Sequence, residues 1–539
     1  MIDIATIALS IMNAPSPSPA DIQALDFRQR LLAMLGLCCV LIMVALDQTV
    51  VGTAMPTVVA DLRGFALYAW VGTAYLLTSV ITVPIFGKLG DDHGRKPFVL
   101  TAIVLFTAAS ALCGLAQDML QLVLARALQG VGGGMLVATT FASVPDLFPH
   151  TRERLRWQVM LSASFGLANA IGPSLGGFLT EYLGWRWVFF VNLPVGAVSL
   201  WFVWRYLPVI RHAAQAPSRL DWQGAVLIAL FLGSLQLAVE WLPQHKSPWL
   251  LALLAALSLA SLAALIWWEK RSPNPLLPPS MLAHPGLAPL FGLSLLMGFG
   301  MFAVMYYAPL MFQAGFGLSP NHAGILVTPL VVFITIGSML NGRIVQRLRR
   351  PTRLLSVGLL MFALTAALLS QAGPATAHWL IIANMVMGGL GLGLLMPNLT
   401  IFVQQLAPRR QLGVSTAMLQ STRMVGGMLG TAVMGAVVSH QFQLGVAGML
   451  AAGHAQAWLH WLGDPQTLLN ADSLAQFRHA AAAADPERLL AATRQLLVDA
   501  IHVSQWLVAG GLLLGLWLVR KVPAITLSSA AAPREPQHD

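Results

Sequence analysis

Fourteen times this chain runs for about twenty residues with scarcely a charge, then turns through a short polar segment. The stretches fall at 31–54, 66–86, 98–117, 120–142, 158–180, 187–207, 223–242, 249–268, 288–312, 322–341, 354–371, 379–404, 413–438 and 501–519. About twenty apolar residues cross the hydrocarbon core of a bilayer. Within it each segment must satisfy its own backbone polar groups, which leaves the α-helix as its form. The pattern predicts an all-α polytopic membrane protein with 14 transmembrane helices. Only 10% of the 539 residues are charged and 57% are hydrophobic, whereas soluble chains are about a quarter charged.

Lys and Arg orient such a chain. With the N-terminus inside, 23 of the 31 fall on the inner segments and 6 on the outer ones, leaving Arg126 and Arg423 within spans. Both termini are therefore expected in the cytoplasm. The net charge of +10 follows from this placement and implies no nucleic-acid partner. Met1–Ile11 lacks a basic n-region and is not read as a secretory signal. Cys38, Cys39 and Cys113 all fall in apolar runs, where packing is their expected role.

A short repeat divides the chain. GKLGDDHGRKP at 87–97 returns as GRIVQRLRRP at 342–351, each after an even-numbered span, as in transporters built from parallel repeats. Spans 7 and 8 then form an extra pair between two halves. The first copy reads as a tight cytoplasmic loop. Gly87, Asp91, Gly94, Arg95 and Lys96 suit a gate that remakes contacts between two states, with Asp91 holding the cytoplasmic side shut; the alternative is that the charges only set topology and cap helices. Residues 439–500 form a long outer loop, in which Asp485-Pro-Glu-Arg reads as a capped helix start leading towards span 14. That helix either packs on the outer face or offers a docking platform.

Charges inside spans are rare and usually functional. Asp47 in span 1 and Arg126 in span 4 both fall in the outer half, within reach of one another. They form either a static ion pair or a proton-coupling site, and a pair buried for stability alone gains little over its desolvation. Arg423 in span 13 has no carboxylate to meet, because no Asp or Glu occurs between Ser272 and Gly463. Carbonyls, Asn398, Gln404, Gln420, water or a substrate remain. Glu240, Asn398, Gln420 and Arg423 are candidates to line a polar or substrate cavity, although Glu240 sits near the outer end of span 7, where water reaches it. Gly172-Pro173 with Gly176 and Gly177 in span 5 provides small residues and a bend for close, mobile packing. No GxxxxGK[ST] loop is present, so this chain shows no ATP-binding signature. Gly389-Leu-Gly-Leu-Gly393 lies mid-span, where packing explains it. No catalytic constellation or cofactor site is apparent.

These motifs resemble the major facilitator superfamily, and specifically its 14-span drug:proton antiporters. GKLGDDHGRKP resembles the family's loop between spans 2 and 3, with Asp92 departing from it. LDQTVVGTAMP (46–56), ARALQGVGGG (125–134), GLANAIGPSLGG (166–177) and WRWVFFVNLPVG (185–196) resemble its motifs in spans 1, 4, 5 and around span 6. The resemblance implies a cytoplasmic tail (1–30), two six-helix bundles (31–207 and 272–520) flanking the extra pair (208–271), and a cytoplasmic tail (521–539). It implies proton-driven export of amphipathic drug-like compounds, often cationic, through the inner membrane, with a role in antibiotic resistance. Its Arg126 is the residue linked to proton transfer. Partners would be the small-molecule substrate, protons, lipid and a periplasmic adaptor protein. The rival readings are an exporter dedicated to one metabolite or siderophore, an importer, and a non-transporting membrane receptor.

Overall fold

Apolar runs too long for anything but a spanning helix form helices, and a few begin at a side-chain cap. The computed structural model describes residues 26–148, 151–209, 221–241, 248–272, 275–276, 279–407, 412–452, 458–463, 465–481 and 485–523. Its principal helices are α1 (Phe27–Leu62), α2 (Tyr68–His93), α3 (Arg95–Leu115), α4 (Met119–Leu147), α5 (Thr151–Tyr182), α6 (Asn192–Tyr206), α7 (Trp222–Trp241), α8 (Pro248–Glu269), α9 (Ala288–Leu310), α10 (Pro320–Ile344), α11 (Arg353–Leu369), α12 (His378–Leu406), α13 (Leu412–Ala452), α14 (Ala471–Ala480) and α15 (Pro486–Lys521). No strand occurs among the described residues. Asp118, Ser319, Asn470 and Asp485 cap α4, α10, α14 and α15 through their side chains.

Among the described residues, twelve helices are long and apolar enough to cross a membrane. The expected spans 5 and 11 are not among them. α11 has 17 residues. α5 has 32 residues, but Gly, Ser and Asn dilute its apolar character and its first turns carry charges. Both nonetheless pack within the bundle, α5 against α1 and α10, and α11 against α12 and α15.

α1–α6 pack around one another, as do α9–α13 with α15. The groups meet along two seams, α5 on α10 and α2 on α13, while α1 and α9 touch between them. Advancing by eight helices turns α2 into α10 and α5 into α13, so the two seams are related by the repeat seen in the sequence. α7 pairs with α8 and also touches α2 and α13. Leu253, Leu257, Leu259 and Trp267 of α8 are exposed, a face suited to lipid.

Two sequence expectations change. The Gly87–Pro97 segment is not an open loop: α2 runs helically to His93, and Gly94 alone makes the turn before α3. Its φ of 85° lies where a side chain is strained and glycine is not. Lys96 donates to the Trp204 carbonyl at 2.8 Å, placing a cation at the end of α6, where free carbonyls gather. A Cβ at Gly87 would meet nothing within 4 Å, so no close approach requires that glycine. The Asp91 side chain lies outside the described residues. Likewise, 439–500 is less a loop than two helical extensions: α13 continues to Ala452 and α15 starts at Pro486. Polar residues mark where both leave the apolar layer without ending either helix. Between them, Trp458 and Trp461 close on Phe477, which is fully buried.

Hydrogen bonds between the groups concentrate towards the face that holds the C-terminal end of α1. Gln313 donates to the Thr53 carbonyl at 2.8 Å, the Tyr68 hydroxyl to the Tyr306 carbonyl at 2.8 Å, and the Asn470 amide to the Ala60 carbonyl at 2.6 Å. Thr73 bonds Thr431 at 3.0 Å, Ser174 bonds Thr328 at 2.6 Å, and the Asn321 N–H reaches Glu181 at 3.0 Å. The α5 glycines allow this closure. Gly172 and Gly176 lie against Thr49 and Thr53 of α1, and a Cβ at Gly177 would stand 2.5 Å from the Pro320 carbonyl oxygen.

Candidate functional site

Asp47 is 1% exposed and surrounded by spanning helices, so its carboxylate must find donors inside the bundle. Arg126 donates to it from Nη1 at 2.6 Å, Gln129 from Nε2 at 2.7 Å, and Asn192 from Nδ2 at 3.2 Å. The same Arg126 Nη1 reaches Gln129 Oε1 at 2.6 Å, and its Nε donates to the Val71 carbonyl at 3.3 Å. Asn192 also donates to Ser110 at 2.9 Å, whose hydroxyl donates to the Phe189 carbonyl at 2.9 Å. The guanidinium carbon lies 4.5 Å from the centroid of the Tyr75 ring, within cation–π range. α1 extends eight residues past the expected end of span 1, so Asp47 is nearer mid-helix than the sequence implied, yet it meets Arg126 directly.

Arg126 and Gln129 share a face because they are one turn apart on α4. The motif around span 6 supplies both Asn192 and a clamp near the C-terminal end of α1, in which Trp185 and Arg186 each donate to Asp61 at 2.9 Å. Gln129 and Asn192 lie inside the span 4 and span 6 motifs, but nothing in the sequence marks them, or Ser110, as partners of Asp47. A fourth residue arrives from the other group of helices. The Tyr306 ring of α9 lies against Gly72, where a Cβ would come within 2.7 Å of it, and its hydroxyl is within electrostatic reach of Arg126 and Asp47. No local signal pairs Tyr306 with Asp47, since 259 positions separate them.

The cavity candidates differ in what they touch. Asn398 is fully buried and exchanges amide hydrogen bonds with Asn341, at 2.7 and 3.3 Å; it holds α12 to α10 rather than lining an open space. Gln404 is engaged by Thr416 at 3.3 Å. The Glu240 side chain lies outside the described residues. Gln420 and Arg423 are half-buried on one side of α13, and neither side chain bonds another group among the described residues.

A sequence profile of the Major Facilitator Superfamily matches residues 37–431. The chain is 34% identical over 413 residues to multidrug transporter protein MdtP of Bacillus subtilis (strain 168), covering 76% of each chain. It is 33% identical over 457 residues to multidrug resistance protein 3 of the same organism, covering 82% of this chain and 87% of that one. In fold it is similar to the crystal structure of a bacterial homologue of the human lysosomal transporter Spinster in an inward-facing, unoccupied conformation. The TM-score is 0.66 with 14% identity, over 92% of this chain and 98% of that one. A D-xylose–proton symporter is also similar, with a TM-score of 0.54 and 14% identity, over 83% of this chain and 95% of that one. Sequence profile, relatives and helix packing agree that this chain is a multi-pass membrane transporter of the major facilitator superfamily.

Proposed function

We propose that this transporter exports amphipathic, drug-like compounds in exchange for protons, alternating between states open to either side of the cytoplasmic membrane with both termini inside. The carrying observation is the Asp47–Arg126 pair, fully enclosed and bonded by Gln129 and Asn192. Removing one partner of a buried ion pair destabilises by about 3–5 kcal/mol. Protonating Asp47 does this reversibly, and two states within a few kcal/mol respond to such a change. Tyr306 gives the pair an outlet to the seam, because its carbonyl accepts from Tyr68 across the two helix groups. With the termini inside, the contacts at Thr53, Thr73 and Ser174 close the extracytoplasmic face. Multidrug transporters among the relatives support the substrate range.

The test is accumulation of a fluorescent lipophilic substrate in inverted membrane vesicles energised with an imposed pH gradient. Wild type accumulates it and a protonophore abolishes the effect. Asp47→Asn inserts normally and does not accumulate it. Full accumulation by Asp47→Asn would overturn the proton-coupling role, and accumulation indifferent to the protonophore would overturn proton drive.

A further inference from the structure

Arg423 is a charge that no carboxylate among the described residues neutralises. The sequence from Ser272 to Gly463, which includes α9–α13, contains no carboxylate. Other polar side chains of this helix group bond elsewhere: Asn398 to Asn341, Gln404 to Thr416, and Ser294 to the Leu419 carbonyl at 2.8 Å. Among the described residues the guanidinium makes no hydrogen bond or ion pair. A cation at membrane depth is expensive unless it meets water or an anion.

Its position says which of these it awaits. Eight residues, about 12 Å of helix, separate Arg423 from Thr431, which bridges to Thr73 and closes one face. Gly298 of α9 lies against the Arg423 backbone and is likewise eight residues from Tyr306. Arg423 thus lies beneath the closure, on the side where the closing contacts have ended. Gln420 comes one turn before it on α13, and its side chain also has no partner among the described residues. One turn beyond it, the Phe302 ring packs on Gly427. A free fork of donors, an amide and an aromatic ring succeed one another within two turns.

Building on the export reading, we infer that Arg423 and Gln420 form the polar end of a binding site for amphipathic organic anions, with a carboxylate on the guanidinium. Arginine binds planar oxyanions through two parallel hydrogen bonds, which an ammonium cannot reproduce. The absence of an acid on α9–α13 keeps that fork available when the site is empty.

The test uses the purified full chain in lipid nanodiscs and two probes that differ in charge alone, pyrenebutyrate and pyrenebutanamide, followed by fluorescence anisotropy. Wild type prefers the anion. Arg423→Gln reduces the ratio of anion to amide affinity by about tenfold or more, as loss of a charge-assisted pair requires. Arg423→Lys restores part of that ratio, and Gln420→Ala lowers it less. Melting curves identify any variant that misfolds, and the lysine variant then decides. A wild type that binds both probes equally, or an Arg423→Gln that weakens both alike, overturns the assignment. Proton-driven accumulation of the amide in vesicles separates the levels: its presence without anion preference leaves export standing and removes the anion site. If neither probe binds or accumulates, both proposals fail together.

Discussion

Two polar atoms beside Asp47 have no partner in this state, Nη2 of Arg126 and Oδ1 of Asn192. A buried group left unsatisfied destabilises by about 1–3 kcal/mol, so the network holds a bias that rearrangement can relieve. Gln129 matters because it bonds both members of the pair. Gln129→Leu should lower gradient-driven export about tenfold or more while the protein remains folded, measured as initial rates in inverted vesicles. Tyr306→Phe keeps the ring on Gly72 and the carbonyl bond from Tyr68 but removes the hydroxyl. It should slow proton-driven export and spare substrate exchange measured without a gradient; if both rates survive, Tyr306 only packs. The sequence made Asp47 and Arg126 legible because a charge inside an apolar run stands out against its surroundings. Gln129 and Asn192 were harder to see, since amides in spans are commoner than charges and their partners are set by packing.

α5 is gripped on two sides, by α1 through Gly172 and Gly176 and by α10 through Gly177 and Gly324, where a Cβ at Gly324 would meet the Pro173 carbonyl. The first grip lies within one helix group and the second joins the two. Gly324→Val should force the second apart, because overpacking typically destabilises by about 1–3 kcal/mol. A cysteine placed at Thr328 should then label faster with a membrane-impermeant maleimide from the extracytoplasmic side; unchanged labelling would mean that the seam absorbs the bulk without opening. The glycine-rich motif announced close packing, but not which of its faces served which partner, since that depends on the neighbouring helices. Residues 439–500 differ from the expected loop for a related reason. Polarity reports where a helix leaves the apolar layer, whereas its end depends on what it packs against, here Gly445 of α13 on Leu496 of α15. The start of α15 was legible because Asp485 acts locally, accepting from the Arg488 N–H at 3.4 Å. Asp485→Ala should destabilise that end by about 1 kcal/mol, seen as faster hydrogen exchange over residues 486–500 and not in the membrane-spanning part.

Over the whole molecule, the buried carboxylates among the described residues are Asp47, Asp221 and Glu269, and the last two belong to the α7–α8 pair. The internal repeat is thus broken chemically: one helix group carries an acid matched to an arginine, the other an arginine that no acid matches among the described residues. This has a consequence for electrogenicity. If Asp47 passes one proton inward for each substrate passed outward, an exported monocation moves no net charge, an uncharged compound moves one, and a monoanion seated on Arg423 moves two. Each charge crossing about 100 mV is worth about 2.3 kcal/mol. A membrane potential of that size would therefore raise the attainable gradient of an anion over that of a monocation on the order of a thousandfold. In proteoliposomes clamped with potassium and valinomycin, abolishing the potential should collapse anion accumulation and leave that of a monocation untouched. A monocation that responds to the clamp would show that more than one proton moves per cycle.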